Sequence, residues 1–394
     1  MKNLLKDNRS LVEKFNSVRT PFYYYDTQLL DQTLHAIKNE TDKHDGYHLH
    51  YAVKACTTPQ VLKHIIKAGF GADCVSGGEI QACLDAGFPA GKIVFAGVGK
   101  SDWEIELGLK AGIQYFNVES IPELEVINEI AGRMQKVAKV SFRINPNVGA
   151  DTHANITTGL AENKFGIAME DMEKVINLAK ELENVEFVGL HFHIGSQILE
   201  MGNFAALSNR VNELQDRLER SGISVKNINV GGGLGIDYEH PDENPIPDFK
   251  AYFDTYAKHL KLRPGQQLHF ELGRAVVGQC GSLITRCLYV KKATVKQFII
   301  VDAGMTDLIR PALYHASHKI ENLTSNEKEE TYDVVGPICE SSDVFAKEYA
   351  VNATRRGDLL AMRSAGAYGQ IMASQYNCRA LPDGYTTEDL EKQD

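Results

Sequence analysis

The chain has 394 residues with 42 basic and 52 acidic side chains, a net charge of −10. That length predicts two or three domains at about 150 residues each, and 43% hydrophobic with 24% charged residues excludes a disordered tail, a collagen-like repeat and a coiled coil. The negative balance speaks against nucleic acid; no apolar run nears the ~20 residues of a membrane helix, and the first twenty residues lack a signal-like apolar core, so a cytoplasmic protein is expected.

The segment 20–26 (TPFYYYD) reads as a strand. From residue 48 a unit then repeats: a short apolar run, a polar or Gly-rich turn, and a helix-like stretch. The runs are 48–53, 72–75, 93–96, 115–118, 137–144, 186–192, 227–230 and 268–270. The first four start about 22 residues apart, close to one βα unit. Amphipathic stretches lie between them, and three of these stop at Gly69, Gly87 and Gly112. Eight such units predict a (β/α)8 TIM-like barrel over 27–275, with an open doubly wound sheet as the competing architecture.

After Arg274 the rhythm changes. The stretches 276–290, 294–302, 332–338 and 358–362 read as strands with little helix between them, which predicts an all-β domain. Joined by the strand at 20–26, that domain would be discontinuous, 1–26 with 276–394. The charged run 321–331 (ENLTSNEKEET) reads as a solvated loop. Composition does not decide whether the Gly/Thr-rich stretch 147–164 closes over a site. The seven cysteines are scattered without a CxxC, the pattern of reduced thiols.

In such a barrel, chemistry sits at the C-terminal strand ends. Those ends carry Lys54, Asp73, Arg143, His191, His193, Ser196, Gly231-Gly-Gly233 and Glu271-Leu272-Gly273-Arg274. Alone, Lys54 reads best as a surface lysine with a buried stem; at a barrel strand end it becomes a candidate amine for carbonyl chemistry. Three glycines after a strand expose backbone N–H groups suited to phosphate, or only make a turn. His191 and His193 fall on one side of a strand, so a metal site is an alternative to a stacking histidine. An amine, a phosphate cradle, a flat ring and an acid together point to pyridoxal phosphate, with Glu271 at the pyridine nitrogen. No resident metal is expected.

The sequence resembles the diaminopimelate decarboxylase family, fold-type III pyridoxal phosphate enzymes of the alanine racemase and ornithine decarboxylase group. The resemblance rests on Tyr51-Ala-Val-Lys54-Ala, His193-Ile-Gly-Ser-Gln197, Gly231-Gly-Gly-Leu-Gly235, Asp307-Leu-Ile-Arg310-Pro-Ala-Leu-Tyr314, Val335-Gly-Pro-Ile-Cys339-Glu340-Ser and Ala365-Gly-Ala-Tyr368-Gly, in family order. It implies that Lys54 carries the cofactor and His193 stacks on its ring. It implies that Asp73, Ser196, Gly233, Glu271, Leu272, Gly273, Arg274 and Tyr368 hold it, with Leu272 standing where the family usually has proline. Arg274, Arg310 and Tyr314 would bind a distal carboxylate, Glu340 a distal ammonium, and Tyr368 both cofactor and substrate. Cys339 would be the proton donor, acting with Glu340 in the partner's site, hence a homodimer with shared active sites. The implied reaction converts meso-2,6-diaminopimelate to L-lysine and CO2, the last step of lysine biosynthesis. The alternatives are a related decarboxylase of another amino acid or polyamine precursor, a racemase on the same fold, a metal hydrolase, or a non-enzymatic cofactor carrier. Arginines at the distal end favour a carboxylate there over a bare ammonium.

Overall fold

The computed structural model describes residues 5–148 and 164–392; most of the 147–164 stretch lies outside them. The chain divides into two compact units. One comprises Leu34–Gly235 with Asp248–Gly273, the other Met1–Thr33, Ile236–Pro247 and Arg274–Asp394.

The first unit is a closed barrel of eight parallel strands: Tyr47–Ala52, Gly71–Cys74, Ile93–Phe95, Tyr115–Val118, Ala138–Asn145, Val185–His191, Asn227–Asn229 and Gln267–Leu272. Each pairs with the next, and the eighth closes the ring on the first, Glu271 opposite His50 and Leu272 opposite Tyr51. A two-residue strand, Ile167–Ala168, adds to the fifth. The helices between strands start and stop where local chemistry dictates. Ser76 and Ser120 accept the N–H groups of Glu79 and Glu123, and Ser101 with Glu104 forms a capping box. Gly87 and Gly112 end their helices at φ +100° and +72°, where a side chain would be strained.

The barrel interior departs from the usual aliphatic layers. His50 Nε2 lies 2.9 Å from His269 Nδ1, and His269 Nε2 lies 3.1 Å from Asn227 Oδ1. Tyr115 packs edge-on to His269 and receives the Asn229 amide at 3.4 Å. Burial pushes His50 down to about 4 despite the nearby Glu271 charge, and burial with the His50 and His48 charges pushes His269 down as well. Both rings are therefore neutral pairing groups at neutral pH.

The second unit is built on one mixed sheet. Its long strand Gly281–Lys292 pairs antiparallel with Phe22–Tyr25, Gln297–Val301 and Leu359–Met362. Ile320–Asn322 adds to Leu359–Met362, and Asp383–Thr386 runs parallel to Phe22–Tyr25. Glu329–Val335 runs parallel to Gln297–Val301 and antiparallel to Val344–Asn352. The helix Arg9–Ser17 buries Val12 and Phe15 against Phe22, Tyr24, Ile284 and Leu359.

Three expectations change here. The long strand begins at Gly281 because Arg274–Val277 turns into a short helix. The strand Val344–Asn352 escaped the sequence reading, since most of its side chains are only partly buried or exposed. The run 321–331 is not one solvated loop: it starts inside a buried strand and ends in Glu329–Val335. Glu321 is buried and bonds Arg363 at 2.9 Å, which also reaches Asp242 at 3.1 Å. Lys319 bridges the same two acids at 2.9 and 2.8 Å. The Arg363 counter-charge comes from 42 residues away, so the run's own composition could not reveal it.

Two outcomes follow from these cores. Between the unfolded histidine pKa of about 6.5 and the folded value of about 4, the unfolded chain takes up a proton that His50 refuses. Stability is therefore lost as pH falls through that window, by about 2 kcal/mol at pH 5 for His50 alone. Urea midpoints at pH 7 and pH 5 should show it, and His50→Asn should flatten the slope whatever it does to absolute stability. Glu321→Ala, which strips a partner from buried Arg363, should cost about 3 kcal/mol in chemical denaturation.

Candidate active site

In the barrel unit, the first strand ends in a tight turn, Val53–Ala55, that carries Lys54 half-buried. Tyr51 fixes the turn by donating its hydroxyl to the Cys56 carbonyl at 2.9 Å. Gly273 lets the end of the eighth strand lie against it, since a Cβ there would sit 3.1 Å from the Ala52 Cβ and 3.2 Å from the Ala55 Cβ. Leu272, the residue where the family usually has proline, is buried as the last residue of that strand. The Lys54 charge acts on Asp73, Glu79 and His193, so these groups form one electrostatic cluster.

Glu271 is buried and accepts three hydrogen bonds. His191 Nε2 reaches Oε2 at 2.9 Å, while Asn229 and Asn117 reach Oε1 at 2.7 and 3.3 Å. Burial works against its charge, but the charge and hydrogen bond of His191, aided by His193 and His50, hold it down to about 2. Asp73 goes the other way. Burial and the Glu271 charge push it well above the carboxylate range, against the pull of Lys54, and among the described residues its Oδ1 has no hydrogen-bond partner. Arg143 is buried and bonds Glu119 at 3.0 Å, with its guanidinium over the Phe165 ring at 4.6 Å.

The sixth strand stops at His191, so the strand alternation that would set both histidines on one side does not extend to His193. His191 turns to Glu271, whereas His193 accepts the Gly232 N–H on Nδ1 at 3.3 Å. Burial, with the Arg143 and Lys54 charges, pushes His193 well below its ordinary value, so it offers a neutral flat ring. Among the described residues no three His, Cys, Asp or Glu side chains cluster as a metal set requires.

The glycine turn is shaped by close backbone packing. A Cβ on Gly232 would lie 1.9 Å from the Glu271 carbonyl oxygen, and one on Gly233 (φ +112°) 2.8 Å from the Gly195 oxygen. The N–H groups of Gly231 and Gly232 are already taken, by Asn229 and His193. Gly233 keeps its own, and the bonds Ile198 N to Gly233 O and Gly235 N to Ile198 O tie its loop to the one carrying Ser196. The earlier picture of three free donors thus narrows to one glycine beside a serine.

These groups fit pyridoxal phosphate. Three donors leave an ionised Glu271 with roughly one of its four acceptor positions open, suited to a protonated ring nitrogen. The neutral His193 suits a ring face, Gly233 and Ser196 a phosphate, and Lys54 an aldehyde.

In the second unit, Arg274 and Arg310 are both buried and flank one ring: their guanidiniums lie 5.9 and 5.4 Å from the centre of Tyr238. Arg274 also donates to the Tyr238 hydroxyl and lies over Tyr368 at 5.0 Å, and Arg310 lies over Tyr314 at 5.8 Å. Among the described residues Arg310 has no carboxylate partner, and its Nε bonds nothing. Burial, with the Arg274 charge, pulls Arg310 below its ordinary value, and burial and both arginines push His318 down to about 3. Such a pair calls for an anion. Tyr368 sits at φ +56°, a left-handed conformation rare for a non-glycine residue. Cys339 and Glu340 are exposed; Tyr376 donates to Glu340 at 2.6 Å, and Asn377 accepts the Cys339 N–H at 3.2 Å.

Sequence reading missed Asn117, Asn229, Glu79 and Tyr238. Asn117 left a trace, as an amide inside an otherwise apolar strand, and Asn229 as one of two amides in the strand Asn227–Asn229. Tyr238 and Glu79, in a loop and a helix turn, left none.

Residues 29–278 match the family described as pyridoxal-dependent decarboxylase, pyridoxal binding domain. A diaminopimelate decarboxylase of Bacteroides thetaiotaomicron is 69% identical over 379 residues, covering 96% of this chain and 98% of that protein. The crystal structure of the Helicobacter pylori diaminopimelate decarboxylase complexed with L-lysine has a TM-score of 0.90 at 41% identity, covering 96% of this chain and 94% of that one. The M. jannaschii enzyme in co-complex with L-lysine has a TM-score of 0.88 at 34% identity, with 97% and 94% covered. The chain belongs to the pyridoxal-dependent decarboxylases, within the diaminopimelate decarboxylase family.

Proposed function

We propose that the chain decarboxylates meso-2,6-diaminopimelate to L-lysine and CO2, as the last step of lysine biosynthesis, in the cytoplasm and as a homodimer with shared active sites. The observation that carries the substrate is buried Arg310 beside Arg274 with no carboxylate of its own. A pocket for ornithine or a polyamine precursor would need acids at the distal end, where a guanidinium pair repels an ammonium.

Pyridoxal phosphate, when bound, supplies an electron sink for the bond pair left by departing CO2. Lys54 would provide the amine that holds it. Glu271 stays ionised and holds the proton on the ring nitrogen. His193 covers one ring face and keeps water from it. Ser196, Gly233, Leu272 and Gly273 hold the phosphate end, and Asp73 lines the cofactor site beside Lys54. Arg274, Arg310 and Tyr314 take the distal carboxylate, Glu340 takes the distal ammonium, and Tyr368 touches cofactor and substrate. Cys339 delivers the proton from Sγ to the α-carbon. Their exposure suits Cys339 and Glu340 to work in the partner's site, with Tyr376 steadying Glu340.

The direct test is turnover: CO2 and L-lysine should appear from meso-diaminopimelate and not from ornithine, arginine or lysine. Equal turnover of ornithine would defeat the substrate assignment. Arg310→Ala should lower kcat/KM for diaminopimelate at least a hundredfold, the effect of leaving a carboxylate unpaired, with the bound cofactor's visible spectrum unchanged. Cys339→Ala and Lys54→Ala should each be inactive alone. Mixed and reassembled, they should regain about a quarter of wild-type activity, because random pairing in a two-fold dimer makes one site in four intact. No recovery would mean that the sites are not shared.

A further inference from the structure

We propose that Asn229 is a positioning residue that fastens the glycine turn to Glu271, so that one acceptor position of that carboxylate stays open for the cofactor's ring nitrogen. The inference rests on the reading of the barrel as the pyridoxal phosphate site. Asn229 ends the seventh strand and is fully buried. Its Oδ1 accepts the Gly231 N–H at 2.9 Å, and its Nδ2 donates to Glu271 Oε1 at 2.7 Å.

The orientation of the amide is forced. Turned over, it would set an NH2 group against the Gly231 N–H and a carbonyl against a carboxylate, two donor–donor and acceptor–acceptor clashes in a dry site. The backbone repeats the link, because the Glu271 N–H donates to the Gly231 oxygen at 2.7 Å and Gly232 lies too close to Glu271 for any side chain. The turn that precedes Gly233 and the Glu271 carboxylate are thus joined twice, once through the chain and once through a side chain.

The side-chain link also governs charge. Asn229, Asn117 and His191 all donate, and donors favour the ionised form of the carboxyl they surround. The strongest geometry among the two amides belongs to Asn229. Asn229→Asp is nearly isosteric and keeps the acceptor for Gly231, yet it replaces the donor facing Glu271 with a second acid. Two carboxyls at that distance share a proton, and Glu271 can no longer hold the ring nitrogen protonated alone. A merely structural Asn229 would tolerate this change as far as the cofactor is concerned.

The experiment uses the full chain and needs no substrate. Pyridoxal phosphate affinity is measured by equilibrium dialysis, and the protonation of the ring nitrogen by nitrogen NMR of isotope-labelled cofactor across the neutral pH range. Wild type should hold the nitrogen protonated throughout. Asn229→Asp should bind the cofactor about tenfold more weakly or worse, the effect of one charge-assisted hydrogen bond, and should lose the nitrogen's proton within the range. Asn229→Ser, which removes both bonds without adding charge, should fall between the two and decides the matter if Asn229→Asp does not fold. Variants with wild-type affinity and wild-type nitrogen resonance would overturn the proposal. A wild-type protein that binds no cofactor would instead overturn the reading of the site beneath it, and the inference with it.

Discussion

A charged carboxylate inside a closed barrel is the constraint to which the rest of this molecule answers. Removing an ion from water costs several kcal/mol unless donors in the protein take over from the water. Glu271 meets that demand with two amides and an imidazole from the fourth, sixth and seventh strands. Those side chains must point inward, so the barrel gives up aliphatic layers for a hydrogen-bonded interior that continues through Tyr115, His269 and His50. The strand ends then crowd around the acid, which explains the glycines at 232 and 273 better than flexibility does.

The same locality separates what the sequence revealed from what it hid. The barrel was legible because each strand is a short apolar run and each helix ends on a local signal, such as Gly87 or Gly112. All eight runs lie on strands, shifted by a few residues at most. Lys54, His193 and Glu271 were legible as polar residues closing apolar runs. Orientation was not. Strand alternation links His191 and His193 only while the strand continues, and it stops at His191. The buried Glu321 looked solvated because its partner Arg363 arrives from far along the chain. The strand Val344–Asn352 was hidden by its own exposure.

In the second unit the governing fact is repulsion held in place. Arg274 and Arg310 both lie near the Tyr238 ring, 5.9 and 5.4 Å from its centre, and Arg274 donates to its hydroxyl. Burial first, and then the same field, hold His318 without its proton. Selectivity of this kind works by exclusion as much as by attraction: a ligand ending in a cation meets an unfavourable potential before any contact forms.

The polar interior of the barrel has a calorimetric consequence. Heat capacity rises on unfolding with exposed apolar area and falls with exposed polar area. A core in which histidines, asparagines and a tyrosine take places among valines releases less of the first and more of the second than one of valine and isoleucine alone. The barrel should therefore melt with a smaller heat-capacity step than its size implies. Its stability would then vary more gently with temperature, holding up in the cold better than an oil-filled barrel of equal length.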